Sequence, residues 1–87
     1  MPYIAQDARE GIESGEVIDT PGQLNFLITT LCDEYLTQIG GCSYTNLNSI
    51  IGVLECVKQE FYRRVVVPYE EQKLKDNGDV YSEENLT

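Results

Sequence analysis

Residues 44–68 read YTNLNSIIGVLECVKQEFYRRVVVP, and the period of their apolar residues decides the fold. Leu47, Ile50, Ile51, Leu54, Val57, Phe61 and Val65 recur at near-heptad steps, which places them along one face of an α-helix. Ser43 or Thr45 supplies a side-chain acceptor for its first turn. The opposite face carries Gln59, Arg63 and, in part, Lys58. Glu60 and Arg64 sit four apart in the order that favours an ion pair. Pro68 lacks a backbone donor and pushes Val67 out of the α region. The helix therefore ends there, or kinks and resumes over Tyr69–Lys75 until Asn77-Gly78 stops it. Val65-Val66-Val67 also admits a β reading, but the helix formers that follow favour a kinked or broken helix with a further helical segment.

Upstream, Thr20-Pro21-Gly22-Gln23 has the form of a capping box with proline at the first helical position. Leu24, Leu27, Ile28, Leu31, Tyr35 and Ile39 follow at helical spacing, and Gly40-Gly41 closes the helix. Before it, Gln6–Ser14 reads as one short helix weakened by Gly11, with Tyr3, Ile4, Ile12 and Val17 to pack it down. After Gly78 the chain is acidic and polar, and it reads as a loose tail with Tyr81 as a docking point. The expectation is a mainly α fold, a small helical hairpin or bundle in which the two long stripes face each other. It comprises a single helical domain over 1–78 and an acidic tail over 79–87. Val53, Tyr62 and Val66 lie off the second stripe, and that surplus of apolar surface predicts a homo-oligomer.

Composition narrows the class. In 87 residues there are three cysteines at unrelated spacings and no histidine, so neither a disulfide framework nor a zinc site is expected. Reduced thiols fit a cytoplasmic protein, and in that setting the sequon Asn85-Leu86-Thr87 carries no weight. No apolar run is long enough to cross a membrane, and no signal peptide is read at the start. The net charge of −9 disfavours direct binding to nucleic acid or to an anionic membrane. The charge is unevenly spread. Arg9 is the only base before Lys58, and the other five, Lys58, Arg63, Arg64, Lys73 and Lys75, lie within residues 58–75.

That basic and aromatic band is the leading candidate site. Lys58, Tyr62, Arg63, Arg64, Tyr69 and Lys73 fall on neighbouring turns if the helix continues past Pro68. Guanidinium forks grip phosphate and tyrosine rings stack on bases. The plainer reading is a solvated face paired with Glu55, Glu60, Glu70 and Glu71. Asn25 and Asn48 interrupt apolar stripes and are candidates to line a pocket; the plainer reading is exposure for Asn25 and helix capping for Asn48. Asn46 reads the same way. The acidic pairs lack a nucleophile, base and orienting group in sequence, so no catalytic residue and no enzyme is expected. Asp76-Asn77-Gly78-Asp79 lacks calcium-loop spacing and reads as a turn. No cofactor or metal is expected.

The block Ile51-Gly52-Val53-Leu54-Glu55-Cys56-Val57-Lys58-Gln59-Glu60-Phe61-Tyr62-Arg63-Arg64-Val65, with Pro68-Tyr69-Glu70, Lys73 and Asn77-Gly78-Asp79-Val80-Tyr81, resembles a family of small proteins from bacteriophages and bacterial genomes. Met1-Pro2-Tyr3-Ile4 and Leu24-Asn25-Phe26 look like the same family. The resemblance brings no catalytic residue and no cofactor. It implies a phage-type setting in which small proteins act as counter-defence factors. Three functions follow in order. The first is a homo-oligomeric sponge that sequesters a nucleotide-derived immune signal in the host cytoplasm. The second is an acidic inhibitor, or nucleic-acid mimic, that binds a host protein. The third is a structural or assembly accessory.

Overall fold

A computed structural model describes residues 2–15 and 17–86. Met1, which opens one matched piece of the resemblance, Glu16, one of the N-terminal acids, and Thr87, which closes the sequon, lie outside the described residues. The chain is mainly α-helical. It contains α1 (Gln6–Glu13), α2 (Pro21–Gln38), α3 (Tyr44–Phe61), a π-helical turn (Tyr62–Val66), α4 (Val67–Asn77) and a short 3-10 turn (Glu83–Asn85). Its contacts gather into two compact units, residues 1–50 and 51–87, taken here in turn.

In the first unit α1 packs on α2. The Arg9 guanidinium lies 5.7 Å from the centroid of the Phe26 ring, and its Nε donates to the Ile4 carbonyl at 2.9 Å. Phe26 is the one buried hydrophobic side chain among the described residues, and Gly11 is the buried residue of α1. The capping box at Thr20 forms as its residues dictate. The Gln23 backbone N–H donates to Thr20 Oγ1 at 3.2 Å, and Gln23 Oε1 accepts from the Thr20 N–H at 3.0 Å and from the Asp19 N–H at 2.8 Å.

At the far end of α2, Gly40 and Gly41 take φ of +108° and +88°. That lets the Gly41 N–H reach the Leu36 carbonyl (2.8 Å) and the Gly40 N–H reach Thr37 (3.3 Å), the double closure that satisfies the last carbonyls of a helix. Of the two caps open to α3, Ser43 is the one used, its Oγ accepting from the Asn46 N–H at 3.1 Å. Asn46 then spends its amide on the turn, donating through Nδ2 to the carbonyls of Ile39 (3.2 Å) and Gly41 (2.9 Å). It is a structural clasp, and no pocket is needed to explain it.

In the second unit the helix neither breaks nor turns to strand at Pro68. Val67 stays in the α region (φ −60°, ψ −49°), against the sequence expectation that the proline would expel it. The reason lies one turn earlier. Residues 62–66 widen into a π turn, and the Val67 N–H bonds to the Tyr62 carbonyl five residues back. The wider turn absorbs the missing donor and gives the ring space that a regular turn denies it. Gly78 (φ +86°) ends α4, its N–H donating to Leu74 at 2.9 Å. Asp79 Oδ1 accepts from the Tyr81 N–H at 2.9 Å and Asn85 Nδ2 donates to Ser82 Oγ at 2.9 Å; of the turn expected over Asp76–Asp79, Asp76 and Asn77 are instead the last residues of α4 and Gly78 caps it.

The two stripes are open to solvent: Leu24, Leu31 and Tyr35 of α2 and Leu47, Ile51, Val57 and Phe61 of α3 are all exposed. Helical period set which face is apolar; it did not supply a partner for that face.

Candidate functional site

The end of α3, the π turn and α4 carry six of the expected site residues, and most of those are already engaged. Lys58 Nζ lies 3.4 Å from Glu55 Oε1, and Gln59 Nε2 donates to the same oxygen at 3.2 Å. These contacts, the Gln59 hydrogen bond first and Lys58 second, hold the Glu55 carboxyl below its ordinary range. Arg63 pairs with Glu60, and the Glu60–Arg64 pair expected from spacing is not made. Positions three and four along a helix are both within reach of one carboxylate, and here the nearer takes it. Tyr62 Oη donates to Glu70 Oε1 at 2.9 Å, and that bond to a carboxylate raises the phenol above its ordinary pKa. Lys73 Nζ sits 5.6 Å from the centroid of the Tyr69 ring, a cation over an aromatic face.

Arg64 is different. Among the described residues it has no carboxylate partner. It lines an open groove of about 480 Å³ whose other walls are Cys56, Val57, Glu60, Phe61 and Val65. These apolar residues read in sequence as a packing stripe, and Cys56 as a small apolar neighbour of it. The sequence shows Val57, Phe61 and Val65 as a stripe running beside Arg64 and carries no signal that they wall a groove. A second open hollow, about 320 Å³, lies between α4 and the tail, lined by Glu70, Lys73, Leu74 and Asn77–Tyr81.

The two asparagines belong to the first unit. Asn25 is half-buried, accepts from Thr29 Oγ1 at 3.1 Å and edges a shallow apolar hollow with Pro21, Leu24 and Ile28. Asn48 is exposed on α3. The structure thus brings Lys58, Tyr62, Arg63, Arg64, Tyr69 and Lys73 into one helical run, and Asn25 and Asn48 stand on other elements or turns. Among the described residues no group of three or more His, Cys, Asp or Glu is placed to hold a metal ion, and no helix is long and apolar enough to cross a membrane.

Residues 1–80 match the model of a protein family described as a domain of unknown function, DUF6899. The chain belongs to this family. The match takes in every α-helix and the whole basic and aromatic band, and ends at the turn after α4. No curated protein and no solved structure matches the chain.

Proposed function

We propose that this member of DUF6899 is a non-enzymatic binding protein that, as an assembly of its own copies, sequesters a small anionic ligand of nucleotide type. The observation that supports it is the setting of Arg64, a guanidinium without a carboxylate partner among the described residues, at the rim of an apolar groove. A nucleotide offers the two matching parts. Its flat ring suits the wall of Val57, Phe61 and Val65, and its phosphate oxygens suit the guanidinium fork. Glu60 also faces the groove, but its charge is answered by Arg63. Lys58, Arg63 and Lys73 are exposed, and surface pairs such as theirs are weak enough to be redirected toward an added phosphate. The setting implied by the resemblance is counter-defence in the host cytoplasm, without cofactor, metal, membrane or direct nucleic-acid contact.

Titration calorimetry with linear and cyclic nucleotides tests this. At least one is expected to bind, with Arg64→Ala weakening it about tenfold, or about 1.4 kcal/mol, and Arg63→Ala weakening it less. No binding by any nucleotide, or an Arg64→Ala variant that binds as before, overturns the reading.

A second reading, an acidic inhibitor of a host protein, is favoured by the acids that crowd both ends of the sequence, Asp7, Glu10, Glu13, Glu16 and Asp19 at one and Asp76, Asp79, Glu83 and Glu84 at the other. A partner held this way is released as salt rises toward about 0.5 M, because exposed charges are then screened.

A further inference from the structure

We propose that the uncharged half of α3, Tyr44 to Leu54, is the docking face for a second copy of this chain, through Leu47, Ile50, Ile51 and Leu54. Two observations carry it. The first is exposure. Leu47 is 45% exposed, Ile51 65% and Leu54 36%, on one face of one helix.

The second observation is charge, and it selects the occupant. In a chain of net charge −9, residues 35–54 contain no Asp, Glu, Lys or Arg. The other apolar surfaces are edged with acid: Asp33 and Glu34 on α2, Glu60 at the groove, Glu70 and Glu71 on α4. Two identical anionic chains repel wherever their carboxylates meet, and like charges brought together cost binding. They can meet without that cost on this half of α3, and depletion of charge is what the core of an interface shows. A basic partner would gain nothing from this face and would prefer the acidic ones. The proposal rests on the assembly part of the function given above and is independent of its ligand.

Sedimentation equilibrium of the full chain over about 1–100 µM tests it. The wild type is expected at twice the 9.8 kDa of one chain, or a higher multiple. Ile51→Glu is expected to weaken association at least tenfold. Ser49→Glu, the same charge on the far side of the same helix, is expected to leave it within a few-fold of wild type. A wild type that stays at 9.8 kDa throughout, an Ile51→Glu variant that associates unchanged, or a Ser49→Glu variant that dissociates equally, overturns the proposal. Where Ile51→Glu loses its helical circular dichroism, hydroxyl-radical footprinting of the wild type decides. Leu47, Ile51 and Leu54 must become protected as concentration rises, and an associated chain that leaves them reactive refutes the face. An associated chain that binds no nucleotide removes the ligand reading alone; a monomer that binds one removes this proposal and the assembly part of the function, and leaves the ligand reading standing.

Discussion

Tyr62 and Glu70 are held together by one hydrogen, and its energetics have a definite sign. The carboxylate accepts from the neutral phenol, which raises the pKa of Tyr62 in the folded chain. The stability this lends is fully present below the ordinary tyrosine range and is lost as pH rises through the raised value. A pH series following the Tyr62 ring by NMR is expected to show a lower midpoint in Glu70→Ala than in the wild type. An unchanged midpoint would mean that the carboxylate is not the cause. Glu55 has the opposite sign. Donors from Gln59 and Lys58 favour its charged form, so its contribution is present above the ordinary glutamate range and fades as pH falls through the lowered value. The pairing at Glu60 shows where single residues defeat sequence reading. Spacing pointed to Arg64, and only the structure shows that Arg63 takes the pair and leaves Arg64 for the groove.

The π turn explains why residues eight apart can share that hydrogen. On a regular α-helix, position 70 lies about 80° round the axis from position 62. A turn that closes to the fifth residue takes up one more residue than an α turn, which brings Glu70 back beneath Tyr62. Pro68→Ala restores the missing N–H and removes the ring, so the run is expected to return to α register and carry Glu70 away. The same NMR titration reads it as a lower Tyr62 midpoint, and a midpoint that does not move would show that the proline does not hold the π turn. The other elements were legible because their rules are local. Thr20 and Gln23 close a box across three residues, Gly40-Gly41 and Gly78 supply the positive φ that ends a helix, and Ser43 caps in place. Pro68 was legible as a disturbance. Its outcome was not, because breaking the helix and widening it begin from the same missing donor.

Taken whole, the chain carries 15 acids against six bases and has a pI near 4.2. If copies associate through an uncharged face, their mutual repulsion is the opposing force, and it shrinks as carboxylates take up protons. Association is expected to change little from about pH 7 to about pH 6 and to tighten as pH is lowered further toward about 4.5, where ordinary carboxylates take up protons, read as a rising mean mass in sedimentation. Weaker association on acidification would point to contacts made by ionised carboxylates. The basic and aromatic band was visible in sequence as a clustering of residue types, but the groove beside Arg64 was not, since a stripe of Val57, Phe61 and Val65 has the same spacing whether it meets another helix or solvent. The exposure of the stripes was illegible for a related reason: periodicity says which side is greasy and nothing about what will lie against it.

With Phe26 as the one enclosed hydrophobic side chain among the described residues, this protein has very little interior through which mutation could be filtered. Selection acting on it must work mostly through whatever touches its outside. Lineages that keep the same neighbours should drift slowly along their exposed stripes, and lineages that change neighbours should rewrite them, so ancestry in such a chain is recorded on the skin.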